Sequence, residues 1–130
     1  DAALARMAGG LGNVEPFALD AYRRAFQDPD VRHAICEDYR AAAQEDRACD
    51  AADRAVGRKL SCPVLVLWPQ GWEGPSPIDI WCRWANNVQG VPIRGGHLQP
   101  EESPEDVLAA LLPFLMGTGA CGIPIADSSA

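Results

Sequence analysis

Gly95-Gly96-His97-Leu98-Gln99-Pro100-Glu101-Glu102-Ser103-Pro104 holds one of the two histidines of the chain, between a glycine pair and a helix-start signal. Two glycines remove the Cβ atoms that would block a positive-φ turn or a close approach. Ser103 is expected to cap a helix that has Pro104 at its first position and Glu105 and Asp106 in its first turn. Glu101 and Glu102 are expected to serve the electrostatics of that helix start. Ahead of the glycines, Val88 to Ile93 is a short apolar run. The order is therefore strand, tight loop carrying an imidazole, helix. An imidazole displayed at a sheet edge suits a general base, because its unperturbed pKa lies near neutrality. Read alone, His97 is either that base or an ordinary loop histidine.

Working back from this loop, Val64-Leu65-Val66-Leu67-Trp68 follows Pro63 as a continuous apolar run of the kind buried in a parallel sheet. Between the two runs, Pro69 to Pro77 is loop, and Ile78 to Ala85 is expected to be a helix. Trp68, Trp81 and Trp84 read as packing residues. Gly90 and Pro92 weaken the second strand. The last helix shows Val107, Leu108, Leu111, Leu112, Phe114 and Leu115 on one side, with Pro113 expected to kink its end. Further back, Phe17, Ala21, Tyr22, Ala25 and Phe26 repeat at helical spacing. Asp28-Pro29 opens a second helix striped by Val31, Ile35, Tyr39 and Ala42/Ala43, on which His33 reads as solvated. Residues 1–14 read as irregular, 44–59 as a charged linker with one more helical turn, and 117–130 as a disordered tail. The β-α-β part should form a right-handed crossover. Two parallel strands cannot bury both faces unaided, so something else must supply further strands.

The totals narrow the function classes. The chain has 130 residues, 48% hydrophobic and 22% charged, which suits one globular domain. Net charge is −7; residues 1–60 hold 11 acids and 9 bases, the remainder 7 acids and 2 bases. No basic patch exists to grip nucleic acid or an anionic membrane. The cysteines at 36, 49, 62, 82 and 121 form no C-x-x-C pair, and the two histidines stand apart, so no metal and no cofactor is expected. Without a leader segment, a reducing cytoplasm is expected, with Cys36 and the other thiols packed as small hydrophobes. Residue 1 is Asp rather than Met, which suggests a processed or truncated chain, or a domain cut from a longer one.

Cys36-Glu37-Asp38-Tyr39-Arg40-Ala41-Ala42, Asp50 to Lys59 running into Cys62 to Trp68, Asp79 to Ala85 and Gly95 to Glu102 occur in an order that resembles the fluoroacetate and haloacetate dehalogenases. These are α/β-hydrolases related to epoxide hydrolases. The likeness covers about Pro16 to Leu115. It implies an α/β fold, the C-terminal part of an α/β-hydrolase: cap-domain helices over 1–49, a linker over 50–62, and a β-α-β-α core edge over 63–116. It also implies that His97 activates water to hydrolyse an aspartyl ester, and that the Tyr39 hydroxyl holds the departing halide of a small haloacid. No nucleophile elbow is present, so the attacking aspartate and the carboxylate-binding arginines belong to a missing N-terminal half. The acid that orients the histidine belongs either to that missing half or to the loop after Trp68, where Glu73 is the one carboxylate. The chain is expected to associate with that half or with itself. The alternatives are part of an epoxide hydrolase, or a non-catalytic remnant that survives by association.

Overall fold

The computed structural model describes residues 1–117, so the tail expectation lies almost wholly outside the described residues. Helices α1 (Ala2–Met7), α2 (Pro16–Gln27), α3 (Pro29–Ala43) and α4 (Glu45–Ala55) come first, with a 3-10 turn at Leu11–Asn13. Strand β1 (Leu60–Pro69), helix α5 (Pro77–Trp81), strand β2 (Ala85–Ile93), and helices α6 (Gln99–Glu102) and α7 (Pro104–Leu115) follow.

Local chemistry explains most of the helix starts. Pro16, Pro29, Pro77 and Pro104 all occupy first-turn positions, where a missing N–H costs nothing. The Glu15 carboxylate accepts from the Phe17 and Ala18 amides, Asp28 from the Asp30 amide at 2.8 Å, and Ser76 from the Asp79 amide at 3.2 Å. Ser103 departs from expectation: it precedes α7 but makes no side-chain cap. Pro113 lies inside α7, which runs on to Leu115.

Three further expectations are corrected. Residues 1–14 are not irregular, since α1 and the 3-10 turn occupy most of them, and Ala8 and Val14 are buried. Within the 44–59 segment, Glu45–Ala55 forms α4, 11 residues long. The helix expected over Ile78 to Ala85 ends at Trp81, and Ala85 already begins β2.

The sheet has two strands, parallel, in register from Pro63↔Asn87 to Pro69↔Ile93. Helices α5 and α7 pack on both strands, and α3 packs on α2 and α4. Arg54 of α4 sits over the Trp84 ring, 5.6 Å from its centroid, and Lys59 donates to the Cys82 carbonyl. The buried apolar core among the described residues is small: Ala8, Val14, Val66, Ala85 and Ile93. Trp68 and Trp84 are half-buried, whereas Trp81 is exposed. Phe17, Tyr39, Leu112 and Leu115 also stand exposed. Cys36, Cys49, Cys62 and Cys82 are exposed free thiols rather than packed hydrophobes. Among the described residues no helix is long and apolar enough to cross a membrane.

Candidate functional site

β2 delivers the chain to the histidine loop. Ile93, 2% exposed, anchors the strand end, and its carbonyl accepts from the Gln70 amide at 2.8 Å. Arg94 then forms a two-bond clamp with Asp106 on α7, Nε to Oδ2 at 2.6 Å and Nη2 to Oδ1 at 2.8 Å. That contact holds the Asp106 carboxyl below its ordinary value and raises the Arg94 guanidinium.

Beyond Arg94 the backbone turns through Gly95, at φ +100°, a conformation that favours glycine. The next three amides are all engaged. The Gly96 amide donates to Glu102 Oε2 at 2.6 Å, the Leu98 amide to Glu102 Oε1 at 2.9 Å, and the His97 amide to the Met7 carbonyl at 3.2 Å. Thus His97 has a fixed backbone and an exposed imidazole, which bonds to no described group. Buried Gln99 opens α6, whose Glu101 accepts the Tyr22 hydroxyl of α2. The bond to Glu101, more than burial, pushes the Tyr22 hydroxyl pKa up.

Glu101 and Glu102 were expected to serve the start of the next helix. Instead they lie in a short helix of their own and bind the loop backbone and α2. Glu102 lies six residues after Gly96 and four after Leu98, the two amides it binds, but nothing in that spacing sets it apart from Glu101 in the sequence. The remaining sequence candidates stay apart. Tyr39 lies on α3, 74% exposed, and no hydrogen bond or ring contact joins it to His97. Glu73 is exposed in the loop after β1 and makes no bond to the imidazole. His33 is exposed and faces Glu37, Nδ1 to Oε1 at 3.8 Å. Among the described residues no three metal-ligating side chains converge. A cavity of about 380 Å³ lies beside the loop, lined by Arg94, Glu102, Ser103, Pro104 and Glu105.

No protein-family model matches the chain. A solved candidate epoxide hydrolase from Pseudomonas aeruginosa is 50% identical with a TM-score of 0.84, covering 91% of this chain and 40% of its own. A candidate α/β hydrolase from Nostoc sp PCC 7120 is 39% identical, TM-score 0.80, over 87% of this chain and 39% of that one. The chain belongs to the α/β-hydrolase superfamily. Its two strands and flanking helices are a partial α/β-hydrolase fold, matching the C-terminal portion of such enzymes. A Burkholderia sp fluoroacetate dehalogenase is 32% identical over 111 residues, 83% of this chain. The chain spans 36% of that dehalogenase's length. This α/β-hydrolase portion is thus similar to proteins named for two different activities.

Proposed function

We propose that this chain supplies the water-activating histidine of a dehalogenase-like α/β-hydrolase that acts on small haloacids. In that reaction an aspartate from a segment outside this chain attacks the halogen-bearing carbon. A C–O bond forms, the C–halogen bond breaks, and the halide leaves with the electron pair. His97 then takes a proton from water, and the resulting hydroxide attacks the aspartyl carbonyl. The ester's acyl C–O bond breaks, the departing alkoxide takes one proton of the attacking water to become the hydroxyl of the 2-hydroxy acid, and the other passes from His97 to solvent as the aspartate is restored. Tyr39, in the position the resemblance assigns to the halide site, donates its hydroxyl to the departing ion. The observation that carries this reading is the His97 imidazole itself, exposed on a loop whose three central amides are all engaged. The two-step chemistry needs such a base, and a fixed backbone keeps it aimed.

The test joins residues 1–130 to the N-terminal portion of the Burkholderia dehalogenase and measures halide release from fluoroacetate and chloroacetate. Release that falls by about 10²–10⁴-fold in His97→Ala is the expected result. Intact mass should then show the substrate, less its halide, trapped on the protein. Equal release from the wild-type and His97→Ala chimeras overturns the reading. The 50% identity to the Pseudomonas protein supports a second reading, epoxide opening through the same ester and the same base. Diol formation without halide dependence would select it.

A further inference from the structure

Glu102 has no part in the proton transfer proposed for His97, yet its side chain hydrogen-bonds the backbone of that loop twice. Its two carboxylate oxygens divide between the amides on either side of the histidine, 2.6 Å to Gly96 and 2.9 Å to Leu98. The glycines are built around this approach. A Cβ on Gly95 would lie 3.0 Å from Glu102 Cβ, and one on Gly96 would lie 3.2 and 3.3 Å from the two carboxylate oxygens. The latter would also lie 3.4 Å from the Met7 carbonyl that takes the His97 amide. An ionised carboxylate accepts and cannot donate, so it suits two converging N–H groups, and charge-assisted bonds of this kind are the stronger ones. We infer that Glu102 is a positioning residue: its carboxylate grips the backbone on both sides of His97 and sets the direction in which the imidazole points, and Gly95-Gly96 is the space that grip requires.

This inference rests on the role proposed for His97, but its first consequences do not. In the unmodified chain the Gly96, His97 and Leu98 amides should exchange with solvent more slowly than the Gly95 amide, which donates to no described group. Glu102→Gln keeps the size of the side chain and replaces one acceptor oxygen with an NH2 that faces an N–H. Exchange at Gly96 and Leu98 should then accelerate about tenfold or more, and NMR relaxation of the His97 ring should show faster, wider motion, while circular dichroism stays unchanged. Glu102→Asp, which retains the charge but draws it back by one methylene, should fall between. In the active chimera, Glu102→Gln should lower kcat about 10–100-fold with KM unchanged. Unchanged amide exchange and ring motion in Glu102→Gln overturn the inference. So does a loosened loop with undiminished kcat, which would leave Glu102 structural only. A chimera that never turns over defeats the proposed function instead, and the ring motion still decides whether Glu102 orients His97. If Glu102→Gln fails to fold, exchange in the unmodified chain decides the grip and Glu102→Asp the orientation.

Discussion

Gly90 shows how one residue type carries opposite meanings in sequence and in structure. In the sequence it weakens a strand. In the fold, Trp68 and Ile78 close over it: a Cβ would sit 2.5 Å from Trp68 Cζ3, 2.9 Å from the Val66 carbonyl, and nearer still to Ile78 Cδ1. The glycine is what lets α5 and the Trp68 ring meet β2. Gly90→Ala should therefore destabilise the chain by about 1–3 kcal/mol, the usual cost of overpacking, and urea unfolding should show it. Unchanged stability would mean that Trp68 and Ile78 move aside freely. The same lesson holds at the histidine loop. That Gly95 and Gly96 serve a turn or a close approach could be read from residue types; that the approaching group is Glu102 could not, because the fold-back of a side chain on the loop leaves no periodic trace.

At the scale of elements, the sequence is clear at Asp28-Pro29, where the expected cap and proline coincide at the start of α3, whereas the caps at Glu15 and Ser76 emerge only in the structure. Glu15-Pro16, Asp28-Pro29 and Ser76-Pro77 each fix a start through bonds that are local to the residues concerned. Helix α4 was missed because EDRACDAADRA offers no large apolar stripe, so its helicity shows only in alanine content and charge spacing. Helix α1 was missed because six residues are too few for a period to show. The join between β2 and α7 carries a testable consequence. Arg94 holds the Asp106 carboxyl below its ordinary value, through the hydrogen bond first and its charge in addition, against the opposing effect of desolvation. A carboxyl depressed in the folded state adds stability at pH values above its unfolded pKa, and that stability is lost as the pH falls through the folded value. The thermal midpoints of wild type and Asp106→Asn should thus differ at neutral pH and converge below about pH 4. A gap of constant size down to pH 2 would show that the clamp stabilises through something other than the ionised carboxylate. The effect should be modest and screened by salt, since Arg94 is 73% exposed.

Over the whole molecule the disproportion is between apolar content and apolar burial. Nearly half the residues are hydrophobic, yet the buried core of the described residues contains no large fully buried side chain. The stripes read from sequence are present, but Phe17 of α2 is 77% exposed and Leu115 of α7 is 67% exposed. Strands β1 and β2 pair only with each other among the described residues, so each has a second edge with unused backbone donors and acceptors. Relatives of more than twice this length share the fold, and in a longer α/β-hydrolase further strands and helices would have those edges and stripes to cover. The chain by itself should therefore self-associate through these surfaces. Sedimentation velocity at increasing concentration should show species heavier than the 13.9 kDa protomer, and adding the N-terminal portion of a relative should replace them with a defined complex. Substituting Leu112 and Leu115 by Gln should reduce the self-association if α7 is one of the surfaces involved. A monomer at every concentration, indifferent to the added portion, would mean that the small core and the α5, α7 and α4 contacts suffice to hold the sheet unassisted.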